Sequence, residues 1–400
     1  MMQPQLRFIN RFEPLKSKVL VLVLLCAAVL PLSGCWDSKE VQSINFITAL
    51  GIDYAEDHYI AYAQVIDFSS IAKQEGPSQR EDSEIWIGQG KGTTLNMAIN
   101  DLYRSSQQQT LWTHVKAIVL SENALNSKLT DIFDTLLHSG QLRYTPWIYG
   151  TKEEINKVLS PSALLNQSMQ TIELFEPMKL YKQYSSFEPI RLHQLLDGFR
   201  EPASTILVPS ITSVNTTWVQ GERKPPLIQT DGFYVVSGGH NQGRIEEQHA
   251  FGARYVKYGK VYQYPLYVYA EDKKVPLLSL SLRDPRTIVK AVPEGNGIRF
   301  DLTTLVNGSI IEDHGKPSSV REMERLAAQQ IQKDIRHTFK IAQSRRVDAY
   351  GLAEHLYRHN PELWKKHARN RANPVTDFKL GKVEVQVNIM NASTYKYNSS

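Results

Sequence analysis

Cys35 is the first residue of this chain whose surroundings suggest chemistry. Its thiol follows a short apolar run at residues 19–32 and two small residues, Ser33 and Gly34. A thiolate is a soft nucleophile that can form a thioether, and a glycine before it leaves room for a peptidase. Basic residues precede the apolar run: Arg7, Arg11, Lys16 and Lys18. A basic segment, an apolar segment and a small-residue site in this order predict a secretory signal, residues 1–34.

The segment Leu32-Ser33-Gly34-Cys35 resembles the lipobox of bacterial lipoproteins. In such proteins a peptidase cleaves between the positions of Gly34 and Cys35, and the cysteine carries diacylglycerol. The apolar run is shorter than the ~20 residues of a membrane span. We therefore expect a mature chain that begins at Cys35 and is lipid-anchored on the outer face of the cell membrane, because two acyl chains bind stably where one binds marginally. An ordinary signal peptide that contains Cys35 by chance is the alternative.

The composition is that of an ordinary folded protein. The chain has 400 residues, of which 42% are hydrophobic and 10% aromatic, which is enough for two or three domains with their own cores. The formal charge of +5 comes mostly from the signal, so the remainder is too weakly basic to predict nucleic-acid binding. The cysteines are Cys26, inside the signal, and Cys35. No disulfide is therefore expected in the mature chain.

Apolar periodicity predicts strands and helices that alternate in the first half of the mature chain. Two strands, 43–53 and 59–68, form a hairpin, and a polar loop, 69–84, follows. The further predicted elements are strands at 84–88, 115–120 and 143–150, and helices at 93–105, 121–138, 163–174 and 190–199.

The second half is predicted to be richer in strands. These are expected at 206–214, 227–236, 261–270, 275–282, 287–292 and 297–311, and a final strand at 382–390. A long amphipathic helix is predicted at 318–345, where Ser319 and Glu322 have capping-box spacing, and shorter helices at 350–359 and 361–369. We expect a multi-domain α+β or mixed α/β fold with sheets covered by helices. Its predicted domains are an N-terminal mixed α/β domain at 35–200, a strand-rich middle domain at 201–270 and a C-terminal domain at 271–400.

Short motifs in a fixed order resemble the Ger(x)C family of spore germination lipoproteins. The matching segments are CWDSKE at 35–40, TALGID at 48–53, HVKAIVLSE at 114–122, DGFYV at 231–235, DAYGL at 348–352 and PELW at 361–364. The resemblance implies the C subunit of a nutrient germinant receptor in the inner membrane of the spore. It implies a polytopic A subunit and a transporter-like B subunit as partners, three α/β domains and no known catalysis.

Two other motifs could bind ligands. The segment GQGKGTT at 88–94 precedes a helix and could hold an anion on its backbone N–H groups, but a glycine-rich turn between strand and helix is the favoured interpretation. His355 and His359 are four residues apart on a predicted helix and His367 follows, yet basic neighbours disfavour a cation there. We therefore expect no metal and no cofactor, and find no motif of a nucleophilic enzyme.

Possible contact surfaces lie at both ends of the mature chain. Trp36 follows the lipidation site, where an indole suits the depth of lipid headgroups, although it could equally pack on the first domain. Residues 333–373 carry ten Lys and Arg against four Asp and Glu. A solvated helix face is the favoured interpretation of this basic segment. The alternative is contact with anionic lipid or an acidic partner, and its candidates are Arg345, Arg346, Lys365 and Lys366.

The lipobox and the family resemblance together imply a non-enzymatic, lipid-anchored receptor subunit that assists assembly or signalling in germination. Partners held in the same membrane need little direct affinity, so we expect the soluble part to be a monomer that binds partners through the basic helices or the 69–84 loop. The alternatives are a solute-binding lipoprotein of a transporter or a lipid-anchored extracytoplasmic enzyme.

Overall fold

The computed structural model describes residues 18–21, 44–66, 85–138, 140–162, 172–270, 274–314, 319–367 and 374–390. Two compact units divide the chain, Met1–Ile44 and Asn45–Ser400. Residues 18–21 of the first unit are helical, and the larger unit holds two β-sheets. The predicted α+β or mixed α/β fold class is confirmed, because strands and helices alternate along the chain and helices cover the sheets.

Ten strands of the described residues form one mixed sheet in the order β10-β9-β8-β6-β5-β1-β2-β3, with β4 beside β1 and β7 beside β6. Their bounds are β1 (Ile44–Ala55), β2 (His58–Ile66), β3 (Ile85–Gly92), β4 (Gln109–Leu111), β5 (Ala117–Ser121), β6 (Trp147–Thr151), β7 (Ile190–Arg191), β8 (Thr205–Val214), β9 (Leu227–Ser237) and β10 (His240–Glu246).

The centre of this first sheet is parallel. Strand β5 pairs in parallel with β1 and β6, and β6 pairs in parallel with β8. All residues of β5 and β6 are buried, as expected for parallel strands that are covered on both faces. The outer strands are antiparallel: β2 forms the predicted hairpin with β1, and β9 and β10 follow β8.

Helices cover both faces of the first sheet. They are α1 (Leu95–Tyr103), α2 (Glu122–Ser127), α3 (Leu129–His138), α4 (Ile155–Leu159), α5 (Pro177–Gln183) and α6 (Leu192–Arg200). Apolar residues of α1, α2, α3 and α6 build the core on one face, and those of α4 build the core on the other. The predicted helix 121–138 is two helices, because the helix is interrupted at Lys128. This interruption allows both Leu125 and Leu129 to be buried.

The second sheet has four strands among the described residues, in the order β11-β12-β13-β14. The elements from residue 247 onward are helices α7 (Glu247–Ala250) and α8 (Ala253–Val256), strands β11 (Tyr264–Tyr269), β12 (Pro276–Glu294) and β13 (Gly297–Asp313), helices α9 (Val320–Ser344), α10 (Leu352–His359) and α11 (Pro361–His367), and strand β14 (Phe378–Ile389). Strand β14 runs parallel to β13. One core joins this sheet and α9 to residues of β8, β9 and β10.

Helix α9 has the predicted amphipathic stripe. Its buried residues are Met323, Ala327, Ile331, Ile335, Thr338, Phe339 and Ala342. The hydroxyl of Ser319 accepts a hydrogen bond from the backbone N–H of Glu322, which satisfies one free donor of the first helical turn.

The two strands predicted at 275–282 and 287–292 are one strand, β12. A bulge at residues 283–286 replaces the predicted loop. Asp284 has a φ of 50° there, and Pro285 lacks a ladder donor, so the strand bends without ending. The final strand, β14, begins at Phe378 rather than at the predicted residue 382.

Strands β8, β9 and β10 complete the sheet that residues 44–151 begin. The division into domains at residues 200 and 270 stays a prediction. In the part of the chain that the structure describes, no helix combines the length and apolarity that crossing a membrane requires.

Candidate interaction surfaces

Arg345, one of the four predicted contact residues, is engaged inside the molecule. Its guanidinium lies 2.6 Å from the carboxylate of Glu246 on β10 and donates to the carbonyl oxygen of Arg244. The side chain of Arg244 is only 8% exposed and pairs with Asp231 at 2.5 Å. Arg345 therefore attaches the end of α9 to the first sheet.

A second set of charges attaches α10 to the start of β8. Arg358 donates two hydrogen bonds to Glu201, at 2.9 and 2.6 Å, and lies 3.0 Å from Glu354. The Nζ of Lys257 is 2.9 Å from the same Glu354. Hydrogen bonds from Arg358 hold the pKa of Glu201 below its ordinary value. The basic segment thus contributes part of its charge to internal attachment, a use that its composition does not reveal.

The other predicted contact residues are placed differently. Lys365 and Lys366 are exposed on the short helix α11, and Lys365 lies 3.4 Å from Glu362. Lys366 forms no ion pair with a described residue. Arg346 follows the end of α9 in the left-handed region, with a φ of 58°. Gly34, Cys35, Trp36 and the 69–84 loop lie outside the described residues.

Asp53, the last residue of the TALGID motif, supports the fold. The hydroxyl of Ser121 donates to its carboxylate, and the same hydroxyl accepts from the N–H of Ala124 at the start of α2. Asp53 stands near the end of β1 and Ser121 at the end of the parallel neighbour β5. This motif therefore fixes the carboxyl edge of the sheet.

Asp348, the first residue of the DAYGL motif, is a buried cap. Its carboxylate accepts hydrogen bonds from the backbone N–H groups of Tyr350, Leu352 and Ala353, at 3.3, 3.0 and 2.8 Å. Burial raises the pKa of this carboxyl, although the three donors partly offset the effect. Gly351 adopts the left-handed conformation, with a φ of 67°, which a glycine accepts without strain. The motif thus starts α10.

The glycine-rich segment is not the predicted turn. Gly88, Gly90 and Gly92 lie within strand β3, on the face that α1 covers. A Cβ on Gly90 would stand 2.2 Å from the carbonyl oxygen of Ala98, and one on Gly92 would stand 2.5 Å from the Ala98 nitrogen. The glycines let a helix approach the strand closely, and the helix occupies the space in which an anion would have to sit.

The rings of His355 and His359 are in tilted contact, with centroids 4.5 Å apart and an interplanar angle of 41°. Burial and the neighbouring His359 lower the pKa of His355. Among the described residues, no group of three His, Cys, Asp or Glu side chains is arranged to hold a metal ion.

A groove of about 540 Å³ separates α1 from α3. Its base includes the buried Trp112, whose indole N–H donates to the hydroxyl of Tyr103 at 2.6 Å. Polar side chains on its walls are Asn96, Asn100, Asp134, Thr135, His138 and Gln141. This size suits a small ligand. The sequence pattern did not indicate the groove, because amides four residues apart on a helix look like a solvated face.

Arg254 is a buried cation that the sequence pattern also did not indicate. Its Nε donates to the carbonyl oxygens of Ser185 and Ser186, at 3.2 and 2.9 Å, and its guanidinium carbon lies 3.5 Å from the ring centroid of Tyr264. Nearby, partly buried Glu173 lies in a small crevice with three tyrosines, and burial raises its pKa to about 7. Both groups lie where residues 172–189 meet the second half of the chain.

A structured finger, residues 215–226, connects β8 to β9. Gln220 and Arg223 exchange backbone hydrogen bonds of 2.9 and 3.0 Å around Gly221, whose φ is 60°. Just before this turn, Trp218 is 55% exposed and Val219 is 66% exposed. Loop residues have no periodicity, so the sequence pattern does not indicate this exposed apolar pair.

Comparisons with known proteins cover both halves of the chain. The family model described as "Spore germination protein N-terminal domain" matches residues 37–213. The model described as "Spore germination B3/ GerAC like, C-terminal" matches residues 231–392. The finger lies between the two matched ranges.

Individual relatives are distant but extend over most of the chain. Spore germination protein KC of Bacillus subtilis (strain 168) is 22% identical over 372 residues, which cover 87% of this chain and 89% of that protein. Spore germination protein B3 of the same organism is 19% identical over 355 residues, covering 84% and 88%. A crystal structure of the GerBC protein aligns with a TM-score of 0.49 and 14% identity, covering 86% of this chain and 97% of that one.

Proposed function

Because the chain belongs to the GerAC-like family of spore germination proteins, we propose that it is a lipid-anchored, non-enzymatic subunit of a spore nutrient germinant receptor. The two family matches together span most of the chain, and this extent is the observation that carries the proposal. The relatives are germination proteins by name, which supports a role in germination.

The lipid anchor has independent support from the sequence. The first family match begins at residue 37, directly after the predicted cleavage site between Gly34 and Cys35. The family match therefore starts close to the point at which a lipoprotein signal would end. In this proposal, diacylglycerol on Cys35 holds the protein on the outer face of the spore inner membrane, beside a polytopic A subunit and a transporter-like B subunit.

The decisive experiment for the receptor role is deletion of the gene in the source organism. Spores that lack the protein should fail to germinate with the nutrient but should respond normally to a trigger that bypasses nutrient receptors. Expression of the wild-type chain should restore the nutrient response. Normal nutrient germination in a strain that has no other receptor for that nutrient would refute the role.

The anchor is tested with the two cysteines of the chain as a matched pair. Cys35→Ala should leave an unprocessed precursor without lipid, whereas Cys26→Ala, inside the signal, should be processed and lipidated normally. Mass spectrometry of the membrane fraction measures both outcomes. A Cys35→Ala protein that is still cleaved at Gly34 and still partitions into detergent would refute lipidation.

The proposed partner surface includes exposed Lys365 and Lys366. Reversal of both charges to Glu should reduce co-purification of the receptor subunits and leave the stability of this chain unchanged. Arg345→Glu serves as the contrasting variant. It breaks the internal pair with Glu246 and should therefore lower the stability of this chain. Deletion of residues 69–84 tests the second predicted surface. Unchanged assembly after both the Lys365/Lys366 reversal and the deletion would remove these surfaces from the proposal.

A further inference from the structure

The apolar tip of the 215–226 finger is exposed and ordered. Trp218 and Val219 stand beside a turn closed by two backbone hydrogen bonds between Gln220 and Arg223. The base of the finger is also attached, because the carbonyl oxygen of Pro226 accepts from the N–H of Ser162 at 2.7 Å. A turn that is closed by backbone hydrogen bonds and presents two large apolar side chains to solvent requires an explanation.

The charges of the finger indicate what it contacts. Glu222, Arg223 and Lys224 are exposed and give the finger a net charge of +1. The side chains of the two basic residues form no ion pair with a residue that the structure describes. A tryptophan next to unpaired basic residues matches the boundary of an anionic membrane, where indole rings partition well and cations are attracted to headgroups.

A protein partner is the less suitable occupant. A stable protein interface covers roughly 800 Å² on each side, whereas the neighbours of the apolar pair on this finger are polar: Asn215, Thr216, Thr217 and Gln220. Two apolar side chains at a tip are sufficient for shallow insertion among lipid headgroups. We propose that the 215–226 finger inserts Trp218 and Val219 into the anionic membrane surface as a second contact beside the lipid anchor.

This contact would hold one end of the first sheet at the membrane. Strand β8 ends at the finger, and β1, β5, β6 and β8 run parallel, so the carboxyl ends of these strands share that end of the sheet. The inference rests on the proposed lipid anchor.

The test uses the lipidated mature protein in vesicles. Cleavage removes Cys26 and lipidation blocks the thiol of Cys35, so Val219→Cys introduces one reactive thiol for an environment-sensitive fluorophore. Val275→Cys is the matched control, because Val275 is 58% exposed in the second half of the chain. The vesicles contain phosphatidylcholine with or without phosphatidylglycerol. A protein that is not lipidated keeps the free thiol of Cys35 and takes up two labels instead of one. The number of labels therefore distinguishes failed lipidation from a finger that does not insert.

We expect the probe at residue 219 to lose accessibility to aqueous iodide and to be quenched by lipid-borne bromine in the anionic vesicles. The probe at residue 275 should stay accessible to iodide. Arg223→Glu should shift the ratio of inserted to free finger by about fivefold or more, since one charge near the surface contributes about 1 kcal/mol. Equal iodide accessibility at both positions would overturn the proposal. So would shielding of residue 219 that occurs only when the other receptor subunits are present, because that outcome assigns the finger to a protein.

Discussion

Gly90→Ala is the sharpest test of how the glycine-rich strand works. The substitution adds one methyl group on the face of β3 that α1 covers. That methyl carbon would lie 2.2 Å from the carbonyl oxygen of Ala98 and 3.0 Å from the nitrogen of Leu102, whereas ordinary contact begins at 3.4 Å. Both atoms belong to the helix backbone and cannot rotate away. The whole helix must therefore move outward and loosen the burial of Leu95 and Leu102.

The expected cost follows from two opposing effects. Overpacking costs about 1–3 kcal/mol, and replacement of glycine by alanine returns about 0.4–1 kcal/mol by restricting the unfolded chain. Since the contacts of Gly90 are with backbone, we take the upper part of the first range. The net loss in the free energy of unfolding is then about 2 kcal/mol, a factor of about 30 in the folding equilibrium.

Gly88→Ala is the matched control on the same strand. Its new methyl group would meet the end of the Leu102 side chain at 3.2 Å and the carbonyl oxygen of Ala63 at an ordinary contact distance of 3.9 Å. The free energy of unfolding should therefore stay within about 0.5 kcal/mol of the wild-type value. Urea unfolding of residues 36–400, followed by circular dichroism, measures both variants. Equal unfolding midpoints for Gly88→Ala and Gly90→Ala would refute the close-packing explanation of the glycines.

Three further predictions concern charge and assembly. Burial raises the pKa of Glu173 from 4.5 to about 7, so the wild-type chain loses stability as pH rises through that interval; Glu173→Gln should match it at pH 4 and exceed it by about 2–3 kcal/mol at pH 8 in urea titrations. Arg345→Glu should lower the melting temperature because it places two negative charges together at Glu246, and an equal effect of Lys366→Glu would contradict this. Residues 36–400 should be a monomer by light scattering, and a tight dimer would refute that expectation.

Strong local periodicity explains what the sequence predicted well. The β1–β2 hairpin and α9 are found as expected, because alternating apolar residues and a stripe with a period of three to four determine which face is buried. The family resemblance is also confirmed. Its motif residues Asp53 and Asp348 cap and join elements, so in this structure they carry fold information.

Contacts between distant residues explain what the sequence could not predict. Arg345 and Glu246 lie far apart in the chain and belong to different elements, so no local pattern distinguishes Arg345 from the exposed Lys366. The glycines of β3 were assigned to a turn because their composition is typical of one. Their spacing of two residues is that of one strand face, and only the approach of α1 explains why that face lacks side chains. The continuous strand β12 was divided because a bulge and a turn have the same residue preferences.

The parallel pairing of β14 with β13 has a consequence for biosynthesis. Helices α9, α10 and α11 lie between these two strands in the sequence, yet β14 pairs along β13 and packs on α9. During synthesis or export, one edge of β13 stays unpaired until β14 has emerged. Completion of the second sheet therefore depends on β14, and a chain truncated before Phe378 would expose that edge to aggregation.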